Sequence, residues 1–273
     1  MKTLKNQTLL YDEDCPLCKV YTSGFIASGM LDENGRKSYC KLSTEEQSYV
    51  DVKRASNEIA LVDNKNKTVL YGIESLLKVI GFSFPWIEKA GNIKPIKYFL
   101  KKLYSFISYN RKVIIPSKVN PKMKLQCIPD FNFKYRFLYI GFATVITTLV
   151  LFQYSNLIPN LPKSNIIREV ILALGQIFFQ SIFLLKLTSK KILNYAGNLM
   201  TVSLMGSLIL LPMLLLNSYF NIPEIITLGG FGATVLIMFI EHCRRITILE
   251  LPFHLSYTWV IYRIIALLLI LNL

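Results

Sequence analysis

The chain has 273 residues, a formal net charge of +14 and a mean hydropathy of +0.41. That hydropathy is too high for an ordinary soluble protein, so the apolar residues must be located before a core is inferred. Five cysteines, an odd number with a single motif spacing, exclude a disulfide-stapled secreted scaffold. The basic residues cluster between Lys89 and Arg136 and in particular loops of the second half. That pattern fits positive-inside membrane topology and attraction to anionic lipid, not nucleic-acid binding.

In chain order, residues 1–7 are polar and the next apolar run is only strand length, so no secretory signal peptide is expected. Residues 8–11 read as a strand, followed directly by Cys15-Pro16-Leu17-Cys18. Residues 16–30 read as a helix, with Pro16 at an early position where its missing N–H costs nothing. A turn over 32–35, a short strand over 38–42 and a polar helix over 45–55 follow. Residues 58–62 and 68–71 form a predicted hairpin, and 74–80 resume helix. The order β-α-β-α-β-β-α is that of a thioredoxin-like α/β sheet. Ile96, Phe99, Leu100, Leu103, Phe106 and Ile107 recur at helical spacing. This amphipathic helix is expected to pack on the domain's own sheet, the alternative being a helix lying on a membrane surface with its lysines toward lipid phosphates. The predicted domains are 1–117, a basic linker at 118–135, and an all-α transmembrane bundle at 136–273.

The bundle offers five predicted helices, at 137–155, 169–187, 196–216, 225–240 and 253–271. Alternate connections are basic: the flank before the first, Lys186, Lys190 and Lys191 after the second, Arg244 and Arg245 after the fourth. This places the N-terminal domain in the cytoplasm and the C-terminus outside, as expected of an integral protein of a prokaryotic plasma membrane. Gly229, Gly230, Gly232 and Ala233 give the fourth helix a small-residue face suited to close packing.

The chemistry centres on the dithiol. A thiolate is the nucleophile, and a helix N-terminus stabilises it through unpaired N–H groups and the aligned dipole. Cys15 is expected as the exposed attacking sulfur and Cys18 as the resolving thiol. Lys19 is expected to lower the thiol pKa, with Asp12 and Asp14 acting oppositely. A carboxylate near Cys18 is a candidate proton acceptor. The alternative is a pair of half-buried, inert cysteines. Neither a local zinc shell nor a Gly-rich nucleotide loop is apparent, so no cofactor is expected. Cys40 reads as a small buried hydrophobe on a strand, and Cys243 as a thiol at the cytoplasmic edge of the fourth membrane helix. His242 and His254 read as interfacial residues rather than haem ligands. Arg263 lies near the middle of the last helix, where a central arginine costs about 2.5–3.5 kcal/mol on insertion scales. It either snorkels or pairs with Glu241 or Glu250; the functional alternative is a quinone, lipid or anion site.

The run Tyr11-Asp12-Glu13-Asp14-Cys15-Pro16-Leu17-Cys18 resembles the signature of the DCC family of thiol-disulfide oxidoreductases, named for an Asp-x-x-Cys-x-x-Cys motif after a first strand. Residues 104–111, ending Tyr109-Asn110-Arg111, are similar to the aromatic-rich Asn-Arg segment that closes that domain. The resemblance covers about the first 115 residues and implies a thioredoxin-like fold, a catalytic Asp12, Cys15 and Cys18, and protein-disulfide reductase activity. Two departures stand out: Glu13 replaces the usual glycine, and Ser56-Asn57 stands where thioredoxins carry a cis-proline.

The expected function is therefore a membrane-anchored thiol-disulfide oxidoreductase acting on a disulfide-containing protein or small molecule. The rivals are a non-enzymatic thioredoxin-like binding module on a membrane anchor and a redox-linked electron or solute carrier.

Overall fold

Leu9 and Leu10 are adjacent, both buried, and point to opposite faces of one sheet. That alternation builds the N-terminal half. β1 (Gln7–Tyr11) lies between β2 (Arg36–Ser38), its parallel neighbour, and β3 (Ala60–Asp63), its antiparallel one; β4 (Thr68–Tyr71) pairs antiparallel with β3. The order is β2-β1-β3-β4. Leu10, Ala60 and Val62 share one core with Tyr39, Leu42 and Val50, whereas Leu9 and Leu61 share the other with Ile59 and Val79. Each fully buried leucine contributes about 1.5–3 kcal/mol, so both faces of the sheet are held by apolar burial.

The structure, a computed structural model, describes residues 4–118, 125–158, 161–220 and 222–272. Around the sheet lie α1 (Pro16–Ala27), the short α2 (Glu46–Tyr49) and α3 (Val52–Asn57), α4 (Ile73–Ser83), α5 (Pro85–Gly91) and α6 (Lys94–Ile114). The second strand ends at Ser38 instead of running from 38 to 42, because Ser38 caps a 3-10 turn at Tyr39–Lys41. The helix expected over 45–55 breaks at Val50, whose buried side chain takes an extended backbone, and Asp51 then caps α3 through the Arg54 N–H. Pro85 restarts the chain as α5, a helix the sequence reading missed.

The chain divides into two compact units, Met1–Tyr135 and Arg136–Leu273. Residues 119–124 of the expected linker lie outside the described residues, but Cys127 is buried in the first unit's core beside Leu10 and Ala55.

The second unit comprises α7 (Phe133–Ser155), α8 (Ile166–Ile182), α9 (Ser189–Asn217), α10 (Glu224–Ile248) and α11 (His254–Asn272). Among the described residues, four helices are long and apolar enough to cross a membrane: α7, α9, α10 and α11. The segment expected as the second span is shorter, since α8 has 17 residues. Close packing falls at Gly206 on α9, where a Cβ would strike Met238, and at Gly230 on α10, where one would meet Met213 at 2.8 Å; Gly229 and Gly232, expected in the same face, meet nothing within 4 Å. His242 is buried among the helices, bonded to the Tyr195 hydroxyl at 3.0 Å and stacked on Trp259. Arg263 stands over the Trp259 ring at 4.8 Å, while Glu241, one of its expected partners, is taken by Arg244 and Arg245.

Gly72 caps α4 at φ +60 and ψ −132, and a Cβ there would meet Glu58 Oε2 at 2.8 Å and Tyr104 at 3.3 Å. A side chain in such a conformation costs about 1–3 kcal/mol. Gly72→Ala is expected to lower the denaturation midpoint of the full chain in detergent accordingly; an unchanged midpoint contradicts this placement of β4 and α4.

Candidate functional site

Cys15 is the N-cap of α1, with extended backbone (φ −95, ψ 111) and Pro16 beginning the helix. Its N–H donates to the Asp12 carbonyl at 3.2 Å, and the Asp14 N–H donates to Asp12 Oδ1 at 3.0 Å. These bonds fold the Asp12–Cys15 loop under the end of β1. Cys18 lies one turn on, its carbonyl accepting from the Thr22 hydroxyl at 2.7 Å. Both cysteines are buried, and no disulfide joins them. The expectation of an exposed Cys15 is corrected, since none of its surface is accessible (0%). The turned-in loop encloses it, and Cys18 is the sulfur that lines the adjoining pocket.

That pocket, about 300 Å³, is walled by Tyr21, Phe25, Leu76 and Ile107, with Asp12 and Arg111 among its few polar groups. Such a mainly apolar concavity is the common form of a small-molecule site.

Arg111, from the last turn of α6, organises the polar side. Its Nη1 donates to the Asn57 carbonyl at 3.1 Å, and Nη2 donates to the Ser56 carbonyl at 2.8 Å and the Cys127 carbonyl at 3.3 Å. Nη2 also lies 3.6 Å from Asp12 Oδ2, which Lys112 approaches to 3.2 Å. Ser108 donates to the same Asn57 carbonyl, and the Tyr104 hydroxyl accepts from the Ile59 N–H at 2.8 Å. The departure at Ser56-Asn57 thus supplies two carbonyls to a buried guanidinium.

The electrostatics favour one ionised sulfur. The Cys15 sulfur makes no regular cap hydrogen bond, yet the Cys18 thiol stabilises its ionised form. Burial opposes, the Cys18 N–H helps, Asp12 opposes and Arg111 helps; the net result is a Cys15 pKa lowered to about 6. Cys18 moves the other way, raised first by its bond to Cys15 and then by burial. Burial pushes the Cys127 thiol up to about 12, making it an inert packing group.

Asp12, Cys15 and Cys18 therefore come together, with Pro16 starting the helix and Asp14 closing the loop. Lys19 is exposed on α1, and the helpful cation is Arg111 instead. Cys40 sits half-buried in the 3-10 turn rather than on a strand. Cys243 and Arg263 belong to the second unit, where the Cys243 thiol donates to Ser256 at 3.5 Å. Sequence reasoning named Tyr104 and Arg111 only through the family resemblance, and nothing in it marked Tyr21 or Cys127 as neighbours of the dithiol. Among the described residues, no three His, Cys, Asp or Glu side chains gather as a metal site.

Comparisons with protein-family models, curated proteins and solved structures find no match to this chain.

Because Asp12 raises and Arg111 lowers the Cys15 pKa, the two charges predict opposite shifts. The pH midpoint of iodoacetamide alkylation is expected to fall in Asp12→Asn and rise in Arg111→Met. Shifts in the same direction contradict the assignment.

Proposed function

We propose that the first unit is a thioredoxin-like thiol-disulfide oxidoreductase head, resembling the DCC family, carried on a membrane anchor. The observation that carries this reading is the lowered thiol pKa of Cys15 at the start of α1, one turn from a protonated Cys18. The sheet order and strand directions support the thioredoxin-like part, as does the dithiol's place between β1 and α1.

In the proposed reaction, the Cys15 thiolate attacks one sulfur of a substrate disulfide. The substrate S–S bond breaks, its second sulfur leaves as a thiolate, and a mixed disulfide forms on Cys15. Cys18 then loses its proton, with Asp12 as the nearby acceptor, and attacks the Cys15 sulfur. A Cys15–Cys18 disulfide forms and the second substrate thiolate leaves. The substrate gains two electrons and the head loses two, which a cellular thiol or dithiol restores. A thiol-rich cytosol favours this reductase direction. Because Cys15 has no accessible surface, the Asp12–Cys15 loop must open toward the pocket for attack. The same burial favours the second reading, a binding module with inactive cysteines.

The anchor's orientation follows from charge. Lys186, Lys190 and Lys191 fall on the same side as the basic flank before α7 only if α8 also crosses. At about 1.5 Å per residue a 17-residue helix falls a few ångströms short of a 30 Å hydrocarbon core, a mismatch met by local thinning. The reading therefore puts the head in the cytoplasm and residue 273 outside.

Two experiments test it. Purified full-length protein is expected to reduce an aromatic disulfide or insulin, with near-complete loss in Cys15→Ser and a trapped mixed disulfide in Cys18→Ser. No turnover in the wild type favours the binding module, and full turnover in Cys15→Ser contradicts Cys15 as the nucleophile. Reporter fusions at the two ends are expected on opposite membrane faces, and a shared face contradicts the α8 crossing.

A further inference from the structure

The helix α6 has two working faces, and the one expected to pack does not. Tyr104, Ser108 and Arg111 hold it to residues 56–59 by hydrogen bonds. Most of the apolar stripe instead faces outward: Ile96 is 41% exposed, Phe99 64%, Leu103 42% and Ile107 39%, while Leu100 and Phe106 are half-buried. Trp86 on α5, 69% exposed, and Ile93 before α6 add to this uncovered apolar surface. The expectation that this stripe packs on the sheet fails at those four exposed positions. Exposed apolar groups on this scale mark a surface that meets something other than water.

The charge of the segment indicates what covers it. Residues 89–118 contain Lys89, Lys94, Lys97, Lys101, Lys102, Arg111, Lys112 and Lys118 and no acidic residue. Lys97 and Lys101 each lie 3.0 Å from Glu74, whereas Lys89, Lys94 and Lys102 are exposed. A second copy would bring the same positive charge against this face, and like charges oppose that pairing. An anionic bilayer offers an apolar layer for the stripe and phosphates for the lysines. Membrane-crossing helices in the same chain keep such a surface within reach, raising its effective concentration.

We propose that α5 and α6 dock the first unit on the surface of an anionic lipid bilayer. Phe99, Leu103 and Trp86 enter the boundary between headgroups and acyl chains, and Lys89, Lys94 and Lys102 meet lipid phosphates. Ile107 belongs both to the stripe and to the wall of the pocket beside Cys18, so docking brings that pocket next to the lipid.

The test uses the full chain reconstituted in vesicles of phosphatidylcholine and phosphatidylglycerol, with and without brominated acyl chains. Phe99→Trp is introduced in a Trp86→Phe background, and subtracting the Trp86→Phe parent isolates the new indole from buried Trp259. Its emission is expected to be blue-shifted from that of indole in water and quenched at least about twofold by the brominated lipid. The wild type minus Trp86→Phe difference gives a second reading with α6 unaltered. Combined Lys89→Glu, Lys94→Glu and Lys102→Glu substitutions are expected to weaken quenching. Emission as in water without quenching overturns the proposal. So does a blue shift without quenching that vanishes on dilution of protein in lipid, which marks a second copy as the cover. Quenching unchanged in the triple variant overturns the role of anionic lipid.

Discussion

One buried guanidinium sets the geometry of the first unit. A charge removed from water is costly unless its donors are met, and the Arg111 Nη atoms meet carbonyls of Ser56, Asn57 and Cys127 as well as the Asp12 carboxylate, with Nε left buried without a partner among the described residues. Those four partners lie in three separate stretches of chain. A planar fork with five donors can hold all of them, where a lysine presents a single point of charge. The entry to β3, the loop before α1, the end of α6 and the stretch around Cys127 are therefore fixed by one side chain. The dithiol inherits its surroundings from that tie.

The same tie explains the sulfur chemistry. Asp12 faces both Arg111 and Lys112, so two cations meet one carboxylate in a poorly hydrated corner. A thiolate on Cys15 is favoured by Arg111, and the Cys18 thiol supplies a proton donor to the ionised sulfur. The helix start contributes the Cys18 N–H, so helix geometry, a neighbouring thiol and a distant arginine act together against burial and Asp12. The proposed redox role needs this balance, because a neutral thiol in the same place would be a packing group like Cys127.

The sheet was legible because strand side chains alternate: Leu9 and Leu10, or Leu61 and Val62, announce two buried faces. The dithiol at a helix start was legible from spacing and Pro16. The packing of α6 was not, because periodicity ranks apolar residues as the inward face, whereas Tyr104, Ser108 and Arg111 bond inward and most of the apolar stripe stays out. Arg111 gave no local signal, being 93 residues beyond Cys18 in sequence. The break at Val50 and Asp51 turned on burying one valine, which a polar helical pattern does not disclose. In the second unit the basic loops and long apolar runs were plain. The inward placement of His242 on Trp259, and the close approach at Gly206 and Gly230 but not at Gly229, depend on how the helices meet, which no single helix records.

The central claim is that one sulfur is held ionised near neutral pH. Thiolate absorbance in the ultraviolet, titrated on the reduced full chain with the Cys15→Ser titration subtracted, reads it directly. The account predicts that the lowest step of the difference is centred near pH 6. A lowest step near the ordinary cysteine value, about 8.5, contradicts it.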